Sequence, residues 1–104
     1  PLLLQEIGYP ASPENGSSEQ KQAQFIDEVF KQLETLDSKV PFASFFLQTD
    51  FGTAQLDAFT GYYGVSEASF RSFLGSLGLH DSTGKPRQAW NVFTRECLKL
   101  KPVE

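Results

Sequence analysis

The feature that most constrains the fold is a pair of short apolar runs enclosing one amphipathic helix. The first run lies within the opening nine residues, Pro1 to Tyr9, where Leu2-Leu3-Leu4 passes through Gln5 to a single carboxylate, Glu6, and then Ile7-Gly8. The second is Val40-Pro41-Phe42-Ala43-Ser44-Phe45-Phe46-Leu47. Continuous apolar runs of this length read as strands buried on both faces, as in a parallel sheet covered by helices. Between them Ser17 and Gln20 form a capping-box signature. Ala23, Ile26, Phe30, Leu33 and Leu36 then recur at three- and four-residue spacing, a helix of about five turns. Its opposite face carries Gln22, Asp27, Lys31 and Glu34, which a solvated surface explains, and Asp37-Ser38-Lys39 closes it. The first half therefore reads as a βαβ unit. Chemistry in such folds gathers at the carboxyl ends of the strands, which puts Glu6 at a rim. The same position also suits a residue that merely ends a strand.

Beyond the second strand, Gln48-Thr49-Asp50-Phe51-Gly52 turns polar again, and the segment from Gly52 to Gly64 reads as a loop rich in Gly and Tyr. Ser66 suits the cap of a short helix carrying Phe70, Phe73, Leu74 and Leu77, with Gly78 as its terminator. Asp81 to Gly84 is a turn. Pro86 suits the first turn of a last helix whose buried stripe is Ala89, Trp90, Phe93, Cys97 and Leu100. The reading is α/β, βαβα with parallel strands over residues 1–104, and it is incomplete on its own. Two strands seldom make an independently stable sheet.

Composition narrows the function. Nine Lys and Arg against thirteen Asp and Glu give a net charge of -4. No basic surface for nucleic acid or an anionic membrane follows from that balance, and no apolar run nears the roughly 20 residues that span a bilayer. Cys97 is the sole cysteine; it fits a structural thiol and leaves the compartment open, secretion included. The chain has no Met, and its second residue already lies in a strand-like run, so it reads as a piece that begins mid-fold.

Two segments carry a family resemblance. Leu3-Leu4-Gln5-Glu6-Ile7-Gly8-Tyr9-Pro10, followed by Ser17 to Ala23, resembles the seventh strand and helix of clan A retaining glycoside hydrolases. These are (β/α)8 barrels such as cellulases, mannanases and arabinogalactanases. Gly75 to Asp81, then Thr83 to Trp90, resembles the turn leading into the eighth helix, which closes the ring. The resemblance implies a partial (β/α)8 barrel, its C-terminal quarter, with Glu6 matching the catalytic nucleophile. It also implies hydrolysis of O-glycosidic bonds in an oligosaccharide or polysaccharide. A retaining enzyme needs a second carboxyl group about 5–5.5 Å from the nucleophile. In the family that acid/base ends strand four, and no residue here matches it. The isolated chain is therefore expected to be inactive, with the rest of a barrel as its partner.

Further expected site residues are Tyr9, Gln48, Asp50 and Phe51, all at strand carboxyl ends, for substrate binding. Tyr9 equally suits loop packing. Asp50 equally suits bracing its loop, and slightly better. Phe45, Phe46 and Phe51 stand where the family often has a sugar-stacking tryptophan. Tyr62 and Tyr63 suit a distant sugar or packing under the loop. His80 and Trp90 are assigned no catalytic role, and no cofactor or metal is implied. The competing reading is a non-catalytic small α/β domain whose unpaired strand edges assemble several copies.

Overall fold

A computed structural model describes residues 2–100; Pro1, at the head of the expected first strand, lies outside them. Strands β1 (Leu3–Ile7) and β2 (Phe42–Phe45) pair in parallel and are joined by helix α1 (Glu19–Leu36). Helices α2 (Thr53–Tyr63), α3 (Ala68–Leu74) and α4 (Gln88–Cys97) follow. The chain is thus mixed α/β around a two-stranded parallel sheet.

The pairing register holds a bulge. Leu3 faces Phe42 and Leu4 faces Ala43, but the next partners are Ile7 and Phe45, three residues on β1 against two on β2. One inserted residue reverses the strand's alternation. Leu4 and Ile7 therefore share the face of Ala43 and Phe45, and Phe45 packs on Phe30 at 5.6 Å and Phe93 at 5.2 Å. Leu3 and Phe42 fall on the other face, where they are 63% and 51% exposed. The expectation of strands buried on both faces is corrected here: the helices cover one face only.

Helix α1 forms the spine of the core. Ala23, Ile26 and Phe30 are buried with Leu79 and the fully buried Ala89 of α4, and Trp90, Phe93 and Cys97 pack around them. Removing Ile26 and Phe30 from water contributes roughly 1.5–3 kcal/mol each. The helix is capped by Ser18, not Ser17, since Ser18 Oγ accepts the Lys21 N–H at 3.1 Å. Gln22 does not belong to the solvated face. It is 1% exposed, and its amide donates to the carbonyls of Tyr9 (3.1 Å) and Gly78 (3.0 Å), tying α1 to both flanking segments.

The expected loop at 52–64 is helix α2. Gln55 Oε1 accepts the Gly52 N–H at 2.9 Å, and Gly64, in left-handed backbone (φ 67°), closes the helix through its N–H to the Thr60 carbonyl. The two glycines that suggest a loop are its boundaries. Helix α3 starts after Glu67 rather than Ser66 and stops at Gly75. Gly78 lies beyond it, where a Cβ would stand 2.5 Å from the Asp50 nitrogen and 2.6 Å from the His80 carbonyl oxygen, so close backbone approach requires the glycine. Pro86 pairs with His80 in an antiparallel bridge, which delays α4 to Gln88. Leu100, past the end of α4, is 64% exposed rather than buried. The turn at Asp81 to Gly84 is as expected, with Asp81 Oδ1 accepting from Thr83 N–H, Thr83 Oγ1 and Lys85 N–H.

The molecule is elongated, 44 × 26 × 24 Å, with a radius of gyration of 14.9 Å, against about 13 Å for a compact domain of this length. Its accessible surface is 7103 Å², where a folded monomer of this mass exposes roughly 5,800 Å².

Candidate functional site at the strand carboxyl ends

Glu6 stands at the carboxyl end of β1, inside the bulge, and is exposed. Its φ of 57° makes it the one described non-glycine residue in the left-handed region. That backbone costs an L-residue about 1–2 kcal/mol, and such strain tends to collect at functional positions. Two residues on, a Cβ added at Gly8 would lie 3.6 Å from the Phe46 Cβ, an ordinary van der Waals contact, so the two strand ends run side by side. Phe46 N–H in turn donates to the Ile7 carbonyl at 2.7 Å, so the ends of the two strands are tied together.

Asp50 is a brace. Its carboxylate takes a bidentate pair of hydrogen bonds from Arg87, Nη1 to Oδ1 at 2.8 Å and Nη2 to Oδ2 at 2.6 Å, and accepts the Gly78 N–H at 2.8 Å. The Asp50 and Arg87 side chains are only 5% and 14% exposed. Hydrogen bonding to Asp50 raises the Arg87 pKa further still, so the guanidinium stays charged. Asp50 is thus sequestered from the rim, in agreement with the bracing role. Arg87 was not singled out by the sequence, since nothing local marks a residue 37 positions away as its partner.

The other expected positions separate. Tyr9 stacks on Phe25 with ring centroids 4.9 Å apart, so it packs against α1. Gln48 is exposed, and its carbonyl accepts the His80 N–H at 2.8 Å. His80 also makes an isolated parallel bridge with Thr49, beyond the end of β2, and its ring lies 4.4 Å from Trp90. Phe51 is half-buried and sits between Phe46 (6.1 Å) and Phe59 (4.9 Å). The structure thus joins Phe51 to the strand-end aromatics and draws Asp50 and Tyr9 into packing.

A groove of about 880 Å³ runs along the unpaired edge of β2, between Ala43, Phe45, Leu33, Trp90 and Phe93, and Gln48 lines one end. Glu6 does not line it. Among the described residues no group of three His, Cys, Asp or Glu is placed to hold a metal ion, and no helix is long and apolar enough to cross a membrane. Burial raises the pKa of the half-buried Cys97 thiol, which makes it a poor nucleophile. Comparison with protein families, curated proteins and solved structures finds no match for the chain.

Proposed function

We propose that this chain is the C-terminal part of a retaining glycoside hydrolase with a (β/α)8 barrel, and that Glu6 is its nucleophile. The observation that carries the reading is the placement of Glu6: the carboxyl end of the first of two parallel, helix-linked strands, in a bulge whose backbone is strained at that residue. The Leu-Gln-Glu-Ile-Gly-Tyr resemblance supports it. In this mechanism an ionised carboxylate attacks the anomeric carbon and displaces the leaving oxygen, which a second carboxyl group protonates. Water then cleaves the glycosyl ester, with the second group acting as base. That second group belongs to chain outside these residues, and the exposed face of Leu3 and Phe42 is where further strands would pack.

Two measurements test this. The 104-residue chain alone should not turn over aryl β-glycosides; turnover that Glu6→Gln abolishes would refute the dependence on further chain. The reading frame that contains this segment, expressed whole and treated with activated 2-deoxy-2-fluoroglycosides, should carry a glycosyl adduct on the Glu6 peptide. Turnover with retention but an adduct on another carboxylate would refute the assignment.

The second reading, assembly of copies through open strand edges, is favoured by one observation: the surface exceeds that of a compact monomer by about a fifth. Light scattering separates them, because a monodisperse multimer of this chain supports assembly.

A further inference from the structure

Helices α2 and α3 form a flap that the rest of the chain holds lightly. Neither buries a residue. They hold each other: Arg71 Nη2 meets Asp57 Oδ1 at 2.8 Å, and the Leu56 side chain lies 3.2 Å from where a Cβ would stand on Gly75. Among the described residues, one hydrogen bond joins residues 53–74 to anything before Gly52. In it Asn15 Nδ2 donates to the Ser69 carbonyl at 3.0 Å. Asn15 ends the short 3-10 turn Pro13–Asn15, against which α3 packs, and Gly16 follows it in left-handed backbone (φ 71°). Asn15 Oδ1 is buried and meets no donor. Elements with so few buried contacts lie at the low end of local stability and open first.

We infer that Asn15-Gly16 is a self-modifying latch: the intact Asn15 amide holds the α2–α3 flap shut, and its conversion to a carboxylate through a cyclic imide with Gly16 releases the flap for good. The inference goes beyond the glycosidase reading and does not rest on it. The chemistry needs only water. The Gly16 backbone nitrogen gives up its proton and bonds to Asn15 Cγ, the Cγ–Nδ2 bond breaks, and Nδ2 leaves as ammonia. Water then opens the imide at either carbonyl, leaving aspartate or its β-linked isomer. Glycine hinders the ring closure least, because no side chain shields its nitrogen. The closed flap withholds both reactants: Gly16 N–H donates to the Pro13 carbonyl at 2.9 Å, and the Asn15 side chain is fixed on Ser69. Opening frees that side chain. The product cannot restore the tie, since a carboxylate has no hydrogen to donate. It sets an oxygen against the Ser69 carbonyl and puts charge where Oδ1 already lacks a donor, and an unpaired buried charge is strongly disfavoured.

The experiment incubates the 104-residue chain in water enriched in heavy oxygen at mildly alkaline pH, folded and in unfolding urea. Mass spectrometry follows uptake of the label at the Asn15-Gly16 peptide. Uptake should be at least about tenfold slower in the folded chain, because reaction waits on opening. In urea below the global transition it should rise together with amide exchange in α3, while α1 and α4 stay protected. Equal uptake in folded and unfolded chain, or uptake that rises only when α1 opens, would overturn the inference. Asn15→Asp reproduces one product directly. Its α2 and α3 amides should exchange at least about tenfold faster than those of the parent chain, with α1 and α4 unchanged. Unchanged exchange in α2 and α3 would overturn the latch, and equal loss of protection in α1 and α4 would overturn its confinement to the flap. The same exchange, measured on parent chain aged in buffer and resolved by ion exchange, removes any dependence on how the variant folds. An aged acidic form with full α2–α3 protection would likewise sink the proposal.

Discussion

Replacing Arg87 with Met tests whether the Asp50–Arg87 pair holds the rim together. The substitution keeps most of the aliphatic stem and removes the guanidinium, leaving a 5% exposed carboxylate without its counter-ion. Breaking a buried pair from one side costs roughly 3–5 kcal/mol, because the remaining charge is stranded. Two features place this case at the lower end. Asp50 keeps the Gly78 N–H at 2.8 Å, and Arg87 is 14% exposed, so some water reaches the pair already. A loss of about 3 kcal/mol is therefore expected. It is a large share of the roughly 5–15 kcal/mol by which a domain of this size is stable.

The double variant supplies the sharper measurement. Asp50→Asn keeps an acceptor for the Gly78 N–H while removing the charge, so in the Arg87→Met background it should restore part of what the single variant loses. The two changes should fail to add, with a coupling of about 1–3 kcal/mol. Urea unfolding followed by Trp90 emission is the suitable assay, since the indole lies 4.4 Å from His80, whose carbonyl also approaches Arg87 Nη1 at 3.5 Å. A cost under 1 kcal/mol for Arg87→Met, or additive single changes, would refute the brace as an energetic element.

Two further outcomes follow from local geometry. Glu6→Gly should be more stable than Glu6→Ala by about 1 kcal/mol, because glycine accepts the left-handed backbone that alanine does not; equal urea midpoints would show that the bulge is unstrained. The Asp81 carboxyl is held below its usual 3.8 by the Thr83 hydroxyl, then by the Lys85 amide. The unfolded chain therefore takes up that proton first as pH falls, so the contribution is complete above about pH 4 and lost below it. Asp81→Asn should flatten the fall in melting temperature on acidification below pH 4, and an unchanged acid limb would contradict this.

Much of the architecture was legible because periodicity reports burial. Ala23, Ile26 and Phe30 mark the buried stripe of α1, and the two apolar runs mark the strands. The misses share a cause: each depends on a partner remote in sequence. Gln22 looks like a surface residue until the carbonyls of Tyr9 and Gly78 arrive to meet it. Gly78 looks like a helix terminator until the Asp50 backbone crosses it. Helix α2 is the exception, for its signal was local. Leu56, Phe59 and Tyr63 fall at three- and four-residue spacing, but the bounding glycines outweighed them in a reading that treats glycine as a mark of loops. The bulge at Glu6 had no sequence signal, because only the register against β2 reveals the inserted residue.

The bulge and the one-sided sheet bear on each other. Without the inserted residue, the alternation begun at Leu3 and Leu4 would turn Ile7 away from the helical layer and give Glu6 the place beside Leu4. The apolar layer would then lose a contact next to Phe45 and gain a carboxylate. The insertion at the strand end lets Ile7 pack while Glu6 stays exposed, at the expense of left-handed backbone. A strand needing only to end could do so at Leu4 without that strain. A strand that must both pack Ile7 and keep the neighbouring carboxylate in solvent cannot, and solvent access at the strand end is what the proposed role of Glu6 requires.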